Sequence, residues 1–363
     1  MELWSLNKFL IHPILSRGKF FANFLKFKGT IESLEQQLSE IYGRTAILLT
    51  SARAGIYLGL LSRGFNRTDE ILVPEFLSQC VLNTLNRSAF PSHSLSKKTK
   101  AVLVLHQWGY PQKMDEVMDL ADEKKYFIIE DCAHSMTSKY KGKNIGLFGD
   151  VAVFSFPKVF PTVMGGFLLT DDSEIIEYAR KFRDSKSALR NIFLNLILLI
   201  VYENQVRGEK NRPELLIELL EMCYSVYVNF PRVNGALLSM MAESLEIFRN
   251  LELRNRNLEI YKKHFPENYF ENLEKDCMIT PYLVPFFDSY DNLVKINDEL
   301  KRNNVESSIM HFDVNKNLFD SDYVKCLALP CHQVLSQRDV EFVCNLVKTS
   351  KNRQIWGVQD HRL

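Results

Sequence analysis

Between residues 46 and 170, short apolar runs alternate with segments of helical period, and no other feature of the sequence restricts the possible architecture so strongly. Residues 46–50, 71–73, 101–105, 126–130, 151–156 and 166–170 read as strands, whereas 54–61, 77–85 and 114–124 read as helices. Alternation of this kind implies an α/β protein with a mostly parallel sheet covered by helices. In such sheets ligands bind beyond the carboxyl ends of the strands.

Around this region the chain divides in two. Residues 1–29 are aromatic and basic and read as an arm, followed by Ile31, Leu34, Leu38 and Ile41 at helical spacing until Gly43. A helix is predicted over 174–184 and a single long one over 237–264, after which short strands and helices alternate as a smaller unit. With 363 residues the chain exceeds the roughly 250–300 that one core accommodates. We therefore expect a large domain over 1–236, and a linking helix with a small C-terminal α/β domain over 237–363.

Composition bounds the partners. A formal net charge of +1 provides no electrostatic footprint for nucleic acid. Seven cysteines, an odd number with no CxxC pair, suit reduced thiols rather than disulfides or a zinc site, so no metal site is expected. The first apolar stretches are broken by Lys8, His12 and Arg17 and read as no signal peptide, which gives a cytoplasmic expectation. The most apolar stretch, 192–202, is interrupted only by Asn195 and falls well short of the ~20 residues of a membrane span. Basic residues flank it, Arg180, Lys181, Arg183, Lys186 and Arg190 before it and Arg207, Lys210 and Arg212 after it. A buried helix or a subunit interface is favoured over peripheral contact with a membrane surface.

Three segments carry chemistry. Thr50-Ser51-Ala52-Arg53-Ala54-Gly55 joins a strand to a helix, with Ser51 as N-cap and free backbone N–H groups that would receive an anion; a capped helix without a ligand is the plainer reading of that segment by itself. The strand 126–130 ends in Glu130-Asp131, followed by His134, and an acid at that edge would keep a ring nitrogen protonated. Phe154-Ser155-Phe156-Pro157-Lys158 then places a hydroxyl and an amine at the exit of another strand, before Gly165-Gly166. A crevice lysine with a depressed pKa forms Schiff bases with carbonyl compounds, although most lysines are simply surface residues.

Taken together, these segments resemble the DegT/DnrJ/EryC1/StrS family of pyridoxal-phosphate-dependent sugar aminotransferases. Leu105-His106-Gln107-Trp108-Gly109, Ile129-Glu130-Asp131-Cys132-Ala133-His134, the block 140–150 and Leu327-Ala328-Leu329-Pro330-Cys331-His332 follow the family's order. The resemblance implies the aspartate-aminotransferase-like fold and pyridoxal 5'-phosphate as cofactor. Lys158 would bind the cofactor covalently and shuttle a proton, Asp131 would pair with the pyridine nitrogen, and His134 would lie beside the ring hydroxyl. Ala52 and Arg53 would give backbone N–H groups to the phosphate, joined by the Ser155 hydroxyl. The implied reaction moves an amino group, from glutamate by the family's habit, to a nucleotide-linked keto sugar for glycan or lipopolysaccharide assembly, in a homodimer with shared active sites.

The sequence also departs from the family. The step from Ser155 to Lys158 is two residues shorter than usual, and Phe76 stands two places before the family's stacking aromatic. Asn229 is the nearest candidate for the asparagine that the neighbouring subunit lends to the phosphate. The stretch 86–100 is short enough that part of the sheet edge is expected to be missing. A sugar dehydratase using the same cofactor, and a decayed member acting as a partner or membrane-associated protein, are the alternative readings.

Overall fold

The computed structural model describes residues 9–26, 28–185, 189–207, 213–268 and 270–352. Its strands are β1 (Ala46–Leu49), β2 (Glu70–Leu72), β3 (Phe90–Ser92), β4 (Thr99–Leu105), β5 (Phe127–Asp131), β6 (Lys139–Tyr140), β7 (Lys143–Asn144), β8 (Val151–Ser155), β9 (Gly166–Leu169), β10 (Cys277–Met278), β11 (Leu283–Phe286), β12 (Ser308–Asp313) and β13 (Tyr323–Pro330). Seven form one sheet in the order β1-β9-β8-β5-β4-β2-β3. All pairs from β8 to β3 are parallel, and β9 runs antiparallel to both of its neighbours.

The strands are apolar on both faces because both faces are covered. In β8, Ala152 and Phe154 join a core with Leu34, Leu38, Leu237 and Met241, while Val151 and Val153 point to the opposite core with Ile56, Leu60 and Ile129. The helices Ala52–Ser62, Gln79–Leu85 and Met114–Lys124 fall where helical period is read in the sequence. A second sheet, β11-β13-β12, packs with the helices Tyr290–Arg302 and Gln337–Asn352 around its own core.

Two expectations are corrected. The sheet keeps its edge strand: β3 pairs in parallel with β2, and its Pro91 is tolerated because an edge strand has one side without a ladder partner. The stretch 237–264 is two helices, Gly235–Glu246 and Glu252–His264, separated by a 3-10 turn over Phe248–Leu251. The first serves the core of the large sheet and the second that of the small one.

The apolar stretch lies in the helix Leu189–Arg207. Leu194, Ile197, Leu198, Val201 and Tyr202 are buried at helical spacing, whereas Ile192, Phe193 and Leu196 are exposed. Tyr202 stacks on Phe20 of the arm at 3.8 Å and donates to the Leu15 carbonyl at 3.1 Å. Lys186, Lys210, Arg212 and the side chain of Arg190 lie outside what the structure describes. No described helix is long and apolar enough to cross a membrane.

Candidate active site

Because β1, β2, β4, β5 and β8 run the same way, their carboxyl ends share one edge of the sheet. That edge carries the turns containing Ser51, Phe76, His106, Asp131 and Lys158.

At the end of β1, Thr50 is fixed by its N–H and hydroxyl to the carbonyls of Pro231 and Phe230, at 3.0 and 2.9 Å. Ser51 then adopts extended backbone, and its Oγ accepts the Ala54 N–H at 3.2 Å, capping Ala52–Ser62. Helix geometry gives the N–H groups of Ala52 and Arg53 no carbonyl one turn back, so they point out of the helix end. β9 passes so close that a Cβ on Gly166 would lie 2.4 Å from the Ala52 nitrogen, and only glycine fits. The Arg53 guanidinium lies over the Tyr224 ring, 4.6 Å from its centroid.

The two acids ending β5 diverge because successive strand residues face opposite ways. Glu130 turns away from Asp131 and accepts the N–H groups of Gly146, Phe148 and Gly149 at 2.7–2.8 Å. His106 Nδ1 accepts the Gln112 N–H, so its Nε2 carries the proton facing Glu130 at 3.2 Å. Burial alone would raise the Glu130 carboxyl, yet His106 and the backbone donors outweigh it and hold the group below the usual range. Cys132 completes a tight trio with these two. Both His106 nitrogens and both Glu130 oxygens are already engaged within the protein, and Glu130, backed by His106, clamps the 146–149 loop.

Asp131 is buried, and one oxygen accepts the Ala133 N–H at 3.0 Å. Burial raises its carboxyl above the usual range, against the pull of that N–H, of His106 and of the Lys158 and Arg53 charges. His134 Nδ1 accepts the Trp108 N–H at 3.2 Å, which leaves the ring proton on Nε2. Burial and the nearby Lys158 charge push this imidazole down to about 3, so it stays neutral and offers an N–H donor.

Lys158 sits in the single helical turn Phe156–Val159, with Pro157 in its first turn. Ser155 occupies the N-cap position of this turn, half-buried, with no side-chain capping bond. Lys158 Nζ lies 5.2 Å from the Tyr282 ring centroid, and the Tyr282 ring stands parallel to His134 at 5.0 Å and 2°. The expectation of a depressed lysine is corrected. Its position beside Tyr282 holds the amine above its ordinary value, outweighing the burial that pulls it down.

Tyr282 and Arg254 escape a reading of the sequence. Tyr282 enters from the small-sheet side, its N–H on the Trp108 carbonyl at 2.8 Å. Trp108 itself is in the left-handed region, φ 53°, and a Cβ on the following Gly109 would lie 2.5 Å from the Thr280 carbonyl oxygen. Arg254 is 1% exposed and donates to the Val159 and Pro281 carbonyls, both at 3.0 Å, to that of Lys158 at 3.4 Å and to the Gln333 side chain at 2.9 Å. Burial pushes the guanidinium down to about 10, and among the described residues no carboxylate pairs with it. One buried cation thus ties the lysine turn to the segment that delivers Tyr282.

Arg53, Asp131, His134 and Lys158 are therefore gathered at one edge, with Ala52 and Ser155 on the turns that frame it. Two candidates engage elsewhere. Phe76, 38% exposed, stacks on His311 at 4.1 Å and tilts against Tyr323 at 4.8 Å. Asn229 accepts from Arg87 of its own chain at 2.8 Å.

The model of the DegT/DnrJ/EryC1/StrS aminotransferase family matches residues 92–193. The chain is 27% identical to an uncharacterised protein of Methanocaldococcus jannaschii, over 86% of this chain and 88% of that one. It is 29% identical to GDP-perosamine synthase of Escherichia coli O157:H7, over 45% of this chain and only 50% of the synthase. Among solved structures, the aminotransferase TlmJ from Streptoalloteichus hindustanus superposes with a TM-score of 0.67 at 20% identity, over 95% of this chain and 98% of that one. Helicobacter pylori PseC, an aminotransferase of pseudoaminic acid biosynthesis, gives 0.68 at 18% identity, over 93% and 97%. The fold is that of these aminotransferases.

Proposed function

We propose that this chain, an enzyme of the DegT/DnrJ/EryC1/StrS aminotransferase family, uses pyridoxal 5'-phosphate to move an amino group from glutamate to a nucleotide-linked keto sugar. The observation that carries the reading is the convergence of a buried acid, a neutral imidazole and a lysine amine beside a capped helix end.

The donor set fits this cofactor. The open end of Ala52–Ser62 and the Arg53 charge suit a phosphate. Asp131, buried and raised, suits a ring nitrogen with which to share a proton. When bound, pyridoxal phosphate supplies an electron sink for the carbon that carries the amino group. Asp131 keeps that ring's nitrogen end polarised. His134 offers the Nε2–H to an oxygen and cannot compete for protons at neutral pH. Lys158 holds the molecule and moves a proton at Nζ. The turn Phe156–Val159, locked from behind by Arg254 and Gln333, keeps that amine in place.

The sugar substrate is supported by GDP-perosamine synthase and PseC among the similar proteins. A homodimer is supported by exposed apolar side chains, Ile192, Phe193 and Leu196 on Leu189–Arg207 and Leu215 and Met222 on Glu214–Val226, two helices that pack on each other. In this reading Asn229 and Phe76 are candidate contributors to the shared site, and residues 1–236 and 237–363 are the two domains.

Purified protein incubated with pyridoxal phosphate should turn yellow, and the visible band should be absent in Lys158→Ala and change on addition of glutamate. A wild-type protein with no band refutes the reading. A panel of keto-sugar nucleotides assayed with glutamate then identifies the acceptor.

A further inference from the structure

Tyr282 is 2% exposed and stands where three distant parts of the chain meet. Its backbone is fixed on Trp108, its ring lies parallel to His134, and Lys158 Nζ approaches the same ring. In this packing its hydroxyl meets no hydrogen-bond partner among the described residues. Buried polar atoms are nearly always satisfied, and an unmet one costs stability. Phenylalanine would fill the same space and keep the parallel contact with His134 without that cost. A tyrosine here is accounted for if an acceptor arrives from outside the chain.

The surroundings define that acceptor. The Lys158 amine is cationic, the Arg53 charge reaches the same cluster, and His134 presents a neutral donor. The crevice thus offers donors and positive charge, which suits an anionic oxygen rather than a cation or an apolar group.

We propose that Tyr282 is a cofactor-binding residue, its hydroxyl donating a hydrogen bond to an anionic oxygen of pyridoxal phosphate held at Lys158. The inference rests on the reading of Lys158 given above. It adds a ligand contact from the segment that enters the small sheet, so that the site is complete only when that segment is docked on Trp108.

The test compares wild type with Tyr282→Phe, each free of ligand and titrated with pyridoxal phosphate, by melting temperature and by the visible band. Without ligand, the variant should melt at or above the wild-type temperature, because it loses only an unmet hydroxyl. Its Kd for pyridoxal phosphate should rise about tenfold, the usual consequence of removing one charge-assisted hydrogen bond. A ligand-free variant that melts below wild type would show that the hydroxyl already has a partner, and overturns the proposal. An unchanged Kd overturns it equally. Absence of the band in the wild type is a separate result, seen before any substitution, and refutes the reading of Lys158 itself.

Discussion

Arg254 Nη2 donates to the carbonyl oxygen of Val159 at 3.0 Å, and the same guanidinium reaches Pro281, beside Tyr282. The residue that carries the amine and the residue that faces it are therefore held by one side chain on a third element. Only a planar fork can reach these carbonyls and Gln333 together.

Arg254→Lys should accordingly be far from conservative. The ammonium cannot span the fork, and buried carbonyls lose their donor, so a loss of about 3 kcal/mol in unfolding free energy is expected in urea titrations. The visible band formed with pyridoxal phosphate should also weaken. A variant as stable as wild type would show that the carbonyls find other partners.

Glu130→Gln tests the clamp on the 146–149 loop. The amide has one acceptor oxygen where the carboxylate has two, and its NH2 must face backbone donors. We expect about 3 kcal/mol of destabilisation by denaturant unfolding. The Glu130 carboxyl is held below its usual range in the fold, so its contribution is present above the unfolded value near 4.3 and is lost as pH falls through the folded one. The variant should therefore lose less stability than wild type on acidification in that window.

His134 gives the chain a second acid sensitivity. Folded, the imidazole titrates at about 3, and unfolded near 6.5, so below about 6.5 the unfolded state binds the extra proton and stability falls with pH. The slope is at most about 1.4 kcal/mol per pH unit between those values. Unfolding curves of wild type and His134→Asn should converge as pH drops from 6.5 to 5; parallel curves would mean that His134 is not buried neutral.

Phe20→Ala should release the N-terminal arm. Phe20 is fully buried against Tyr202, and loss of a buried phenylalanine costs about 3–5 kcal/mol, more than a helix of six residues can sustain alone. Limited proteolysis should then cut near residues 15–25 while the band with pyridoxal phosphate persists. Resistance equal to wild type would place the arm's anchorage elsewhere.

What the sequence made legible was local. The alternation of strands and helices, the register that brings Asp131 to a strand end, and the distance from Lys158 to Gly165-Gly166 all depend on near neighbours, where period and turn chemistry decide. Tyr282 and Arg254 carry no local mark: one reads as an apolar residue entering a strand, the other as a charge on a helix of many charges. Long-range packing alone turns them toward Lys158. The same cause hid the break at Phe248–Leu251, since the helical pattern continues while the core it serves changes. β3 is not legible in the same way, because Phe90-Pro91-Ser92 looks like a loop until its place at the sheet edge is known.

Among the described residues β1 is an edge strand whose ladder runs only to β9, so Ala46 finds its partner Leu169 after the rest of the sheet has been laid down in sequence between them. Closing so long a loop is entropically slow. The turn after β1, which the Thr50 bonds further tie to Phe230 and Pro231, is therefore held in full only once those residues are in place. A nascent chain would expose its lysine turn before it could grip a phosphate, and tight capture of the cofactor would report that synthesis had passed Tyr282.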